Sequence, residues 1–94
     1  MAVFVVVWNL NKEGATYVTA RARFFELLRK TDHSYSANLE TTAFVSTSWT
    51  AHQLYDYFRQ ALDDNDRILV SQLVEGYYKG WLDQPQAVWI AART

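Results

Sequence analysis

Residues Ala2-Val-Phe-Val-Val-Val-Trp8 form an uninterrupted β-branched and aromatic run, and no other segment constrains the fold as tightly. A strand with one solvent face alternates apolar and polar residues. A run without alternation predicts a central strand, buried on both faces. The polar residues and glycine of Asn9-Leu10-Asn11-Lys12-Glu13-Gly14 then predict a loop.

The period changes after that loop. From Thr16 to Lys30, residues Tyr17, Ala20, Phe24, Leu27 and Leu28 recur at three- and four-residue spacing and predict a helix with one apolar face. Arg29 and Lys30 close it where cations complement the helix dipole. Tyr35, Ala37 and Leu39 alternate with polar residues over Asp32 to Glu40, which predicts a half-exposed strand. The β-branched segment Thr42 to Thr47 predicts another, so the two should form an antiparallel hairpin turning at Asn38 to Thr41. Thr50-Ala51-His52-Gln53 has the spacing of a capping box, followed by the stripe Leu54, Tyr57, Phe58, Ala61 and Leu62. Asp63-Asp64-Asn65-Asp66 predicts a polar turn, with Asn65 or Asp66 making an Asx-turn and Arg67 pairing with one of the acids. Arg67 to Val74 predicts the fourth strand, and Gln86 to Arg93 a short final helix.

The order is therefore β-α-β-β-α-β plus a tail, within one domain of residues 1–94. With right-handed crossovers it predicts an α+β, ferredoxin-like arrangement: a four-stranded antiparallel sheet with two helices on one face and a short C-terminal tail or helix. The second sheet face is left for that tail or for another subunit. Four tryptophans, six tyrosines and five phenylalanines exceed what so small a core absorbs. Tyr77, Tyr78, Trp81 and Trp89 are therefore expected in tail packing or at a dimer interface.

Composition narrows the chemistry. With no cysteine, disulfides, thiolate metal sites and a cysteine nucleophile are excluded. A net charge of −1 excludes a generally cationic, counterion-releasing surface. The basic residues nonetheless concentrate before Thr31, at Lys12, Arg21, Arg23, Arg29 and Lys30. The first apolar run is too short to span a membrane, and no signal-peptide pattern precedes it. A cytoplasmic protein without a membrane partner is expected.

Three segments carry a resemblance. Asn9-Leu10-Asn11-Lys12, Leu39-Glu40-Thr41-Thr42-Ala43-Phe44-Val45-Ser46-Thr47 and Asp63-Asp64-Asn65-Asp66-Arg67-Ile68-Leu69-Val70-Ser71 resemble, in order, the small bacterial SinR-type proteins. These are relatives of the VapD toxins and of the CRISPR-associated Cas-two subunit. The resemblance implies a homodimer of ferredoxin-like subunits. Some members of the wider group are metal-dependent ribonucleases or deoxyribonucleases, and others are scaffolds that bind nucleic acid or protein. Where a member is a nuclease, an aspartate ends the first strand, one from each subunit. Here that position is Asn9, which carries no charge for Mg²⁺ or Mn²⁺.

The expectation is accordingly a non-catalytic module associated with RNA, DNA or protein. The alternatives are a weak divalent-metal nuclease, with Asn9 and Asp66 as its candidate catalytic residues and Asn9 as the candidate metal ligand, and a purely structural dimer. Asn11, Lys12, Arg21 and Arg23 are the nucleic-acid-binding candidates, each with an ordinary reading as a loop cap or a solvated cation. His33 and His52 lack the companions of a metal motif, and Ser46, Thr47 and Ser48 lack a nucleophile elbow.

Overall fold

The computed structural model describes residues Met1–Thr94. Its elements are β1 (Ala2–Asn9), α1 (Gly14–Arg29), β2 (Asp32–Tyr35), a short 3₁₀ turn (Ala37–Leu39), β3 (Thr42–Thr47), α2 (Ala51–Arg59), β4 (Arg67–Leu73) and α3 (Gln84–Ala91). The strands lie in the order β2-β3-β1-β4 with every neighbour antiparallel. This is the ferredoxin-like α+β arrangement with an added C-terminal helix.

Residues of β1 alternate between two cores. Phe4, Val6 and Trp8 point into the principal one, against Ala20, Phe24 and Leu28 of α1 and Leu54 and Phe58 of α2. Phe24 is its hub, with its ring 4.3 Å from Trp8 and 4.9 Å from Phe58. Burying one such side chain stabilises the fold by about 1.5–3 kcal/mol. α2 begins with the capping box that its sequence specifies: Thr50 accepts from the Gln53 N–H, and Gln53 accepts from the Thr50 N–H.

The opposite face holds a smaller core of Val3, Phe44 and Ile90, with Leu82 and Trp89 packed on it. The tail thus returns to its own sheet, but it covers only part of it. Arg93 pairs with Asp32 at 3.1 Å while stacking on Trp89, and Asp83 accepts from Ser36 and Asn38. These anchors draw α3 over β2 and β3. The expectation that β1 is buried on both faces is therefore corrected: Val3 is buried, Val5 half-buried, and Val7 stands exposed beside Leu69 of β4.

The second strand is also shorter than its alternation suggests. It stops at Tyr35, and Ser36 accepts from the Asn38 N–H to start the 3₁₀ turn. Ala37 and Leu39 continue a two-residue pattern without a partner strand, and Leu39 is exposed. The hairpin itself forms, pairing Asp32 with Ser46 and Tyr35 with Ala43. His33 lies within β2, its ring against the Thr31 carbonyl. No helix is long and apolar enough to cross a membrane.

Candidate functional site

In a sheet ordered β2-β3-β1-β4, β1 leaves at the end where β4 begins, and Asn9 stands opposite Arg67. The loop after β1 must therefore meet the acidic turn before β4. Leu10 is buried and pins the loop to the core, so Asn11 and Lys12 emerge facing that turn.

Lys12 crosses to it directly. Its Nζ lies 2.7 Å from both carboxylate oxygens of Asp66 and 3.0 Å from Asp63 Oδ2. The Asp66 side chain has no exposed surface, and that of Lys12 is 16 % exposed. Asp66 Oδ1 also accepts from the Asn11 N–H at 2.9 Å, and Oδ2 from the Asp63 N–H at 3.0 Å. A carboxylate has about four lone-pair sites, and here each has a donor.

The titration of the groups follows this geometry. Burial pushes the Asp66 carboxyl up, but the Lys12 ammonium and the two backbone N–H groups outweigh it and hold the carboxyl below its usual range. Lys12 holds Asp63 low as well, helped by the Asn65 N–H, and is itself raised by its bond to Asp66. Asp66 is thus an ionised, buried and fully bonded carboxylate. It joins two connections that lie 54 residues apart in the chain.

The remaining candidates take different places. Asn9 is exposed at the end of β1 and donates to Asn11 Oδ1 at 3.0 Å, while Asn11 donates to the Asn65 carbonyl. Arg23 shares a shallow groove along α1 with Lys12, Thr16 and Thr19, and donates to the Gln60 carbonyl. Arg21 turns away to lie over the Phe25 ring at 4.3 Å. The structure therefore brings Asn9, Asn11, Lys12 and Asp66 together, with Arg23 nearby, and leaves Arg21 apart. Among the tail aromatics, Trp89 packs on the smaller core and the Tyr78 hydroxyl meets Thr94 Oγ1 at 2.8 Å. Tyr77 and Trp81 face solvent.

Three local expectations are corrected. The Asx-turn belongs to Asp63, whose carboxylate accepts from the Asn65 N–H at 2.9 Å. Arg67 pairs with no acid: it donates to the Asp64 and Asp66 carbonyls, and Asp64 pairs instead with Arg59 at 2.9 Å. Lys12 is likewise neither a solvated loop cation nor a free phosphate ligand, because its charge is spent on two carboxylates. No group of three or more His, Asp or Glu side chains is arranged to hold a metal ion. No family model, curated protein or solved structure matches the chain.

Proposed function

We propose that the protein is a non-catalytic interaction module, acting as a homodimer in contact with protein or nucleic acid, like the SinR-type proteins that its motifs resemble. One observation carries this reading. The end of β1 presents Asn9 where a metal nuclease of that kind needs an acid, and the nearest substitute, Asp66, is locked in its bond to Lys12. A hard cation at Asp66 would have to displace an ammonium and two backbone donors from a carboxylate with no exposed surface.

Protein contact is favoured over nucleic acid within this reading. Tyr77 is 88 % exposed and Trp81 fully exposed, and only Lys79 interleaves with them. The groove that joins Lys12 to Arg23 favours nucleic acid, but Lys12 brings it little free charge.

The test is incubation of labelled RNA and DNA with the protein and with Asn9→Asp, with and without Mg²⁺ or Mn²⁺. The natural chain is expected to cleave neither. Metal-dependent cleavage by it would overturn the proposal, whereas cleavage by Asn9→Asp alone would support it. Binding to either nucleic acid that weakens steeply with salt would select the nucleic-acid form of the module.

A further inference from the structure

α3 is clamped beside β2 at both of its ends. At its start Asp83 accepts from Ser36 Oγ and from Asn38 Nδ2, the latter at 3.0 Å; beyond its last turn Arg93 pairs with Asp32 at 3.1 Å. The helix therefore runs antiparallel to the strand. Between the two clamps a slot of about 600 Å³ stays open, lined on one side by His33 to Ser36 and on the other by Gln86 and Trp89. β2 is an edge strand, and no residue from Asp32 to Tyr35 makes a backbone bond outside its ladder with β3. The outer backbone groups of β2 are thus unpaired.

Gln86 singles out this slot. It is 3 % exposed, and its Nε2 is the one buried side-chain nitrogen or oxygen without a hydrogen-bond partner. Folded proteins rarely leave such a group unmet, because its hydration is lost with nothing in return. Asp83 lies one helical turn earlier, where side chains on one face are about 5–6 Å apart. The Ser36 and Asn38 donors hold its carboxyl below the usual range, so it is ionised, yet no cation pairs with it. No lysine or arginine lines the slot, and Arg93 beyond its end is spent on Asp32 and the Trp89 ring.

We propose that the slot docks an extended peptide segment of a partner protein, one residue of which bonds the Gln86 amide while a lysine or arginine reaches Asp83. This rests on the interaction-module reading and names the chemistry of its protein partner. An extended residue presents its N–H and C=O to the same side, so a primary amide can bond both. The residues before and after it present theirs to the opposite side, which here is the unpaired edge of β2. Peptides commonly add to sheets in this way. The lone carboxylate selects a cationic segment and opposes a phosphate backbone.

The full-length chain, followed by its amide NMR spectra, is titrated with Nα-acetyl-lysine N-methylamide, a single lysine between two peptide groups. Saturable shifts are expected at His33 to Ser36 and at the Gln86 side chain, with an affinity on the order of millimolar for so small a probe. The norleucine analogue lacks the cation and should bind roughly two- to fivefold more weakly, and the glutamate analogue more weakly still. Free lysine, which has the cation without the peptide groups, should leave these signals in place. Gln86→Met keeps the length of the side chain without its amide. It should abolish the shifts with no fall in melting temperature, because no bond within the protein is lost. Asp83→Asn should erase the preference for lysine over norleucine.

The proposal is overturned if the lysine probe gives no saturable shift at these positions, if the glutamate analogue binds as well, or if free lysine does. A Gln86→Met variant that melts lower also overturns it, since the amide would then serve the fold. Cleavage of RNA or DNA would sink the non-catalytic reading and leave these shifts in place. Their absence would leave the cleavage result untouched, so the two readings fail separately.

Discussion

Removing the Asp66 carboxylate should damage stability far more than its position in a polar turn suggests. In Asp66→Ala the N–H groups of Asn11 and Asp63 lose their acceptor, and Lys12 loses the bond that holds it in the loop. Two orphaned, part-buried donors at about 1–3 kcal/mol each give a loss of at most about 2–6 kcal/mol. Breaking a buried ion pair by deleting one partner independently costs about 3–5 kcal/mol. The two routes agree on about 4 kcal/mol, a large share of the roughly 5–15 kcal/mol available to a domain of this kind. At about 4–8 °C per kcal/mol, the melting temperature should fall on the order of 15–30 °C. Urea unfolding followed by tryptophan fluorescence reads the loss directly. Asp66→Asn should also be destabilised, since its amide can offer only one oxygen and turns a donor toward another donor. Asp64→Ala is the control: that side chain is fully exposed, and the unfolding midpoint should not move. If Asp66→Ala unfolds within about 1 kcal/mol of the natural chain, the structural role assigned to Asp66 is refuted.

Acid should expose the same pair. Asp66, Asp63 and Asp83 all titrate below the ordinary carboxylate range when folded, so the native state binds fewer protons there than the unfolded chain. Their contribution is complete above the unfolded value near pH ~4 and is lost as pH falls through the depressed folded values. Asp66→Asn should flatten that acid limb in a pH series of urea midpoints; an unchanged slope would contradict the assignment. Gly76 adopts φ +87° as the chain turns out of β4, with the Tyr77 N–H bonded to the Val74 carbonyl at 2.9 Å. Gly76→Ala should cost about 1–2 kcal/mol, measured the same way, although a Cβ there meets nothing within 4 Å. Thr50→Ala removes the cap of α2 and should cost about 1 kcal/mol, while Thr50→Ser should restore most of it.

What the sequence revealed depended on the range of the interaction. The capping box of Thr50 and Gln53 and the stripe through Phe24 and Leu28 are local, and they led to the correct elements and their order. Period alone misled at Tyr35, Ala37 and Leu39, because two-residue alternation needs a neighbouring strand to mean anything, and β3 pairs only as far as Tyr35. Half of the tail's aromatic set found cover: Trp89 and the Tyr78 hydroxyl have partners, whereas Tyr77 and Trp81 do not. The Lys12–Asp66 pair was hidden because no local pattern links residues 54 positions apart. It becomes visible once the strand order is drawn with β1 beside β4. Register then places Asn9 opposite Arg67, so Asp66 must lie beside the loop that carries Lys12.

The central claim is that the end of β1 holds a structural ion pair in place of a metal site, and Mn²⁺ tests it most directly. Backbone amide NMR spectra recorded during a Mn²⁺ titration report any bound ion through paramagnetic broadening of nearby resonances. No saturable broadening is expected at Asn9, Asn11, Asp63 or Asp66, because every acceptor site of the Asp66 carboxylate already has a donor. Saturable loss of those four amide signals, reversed by Mg²⁺, would contradict the account.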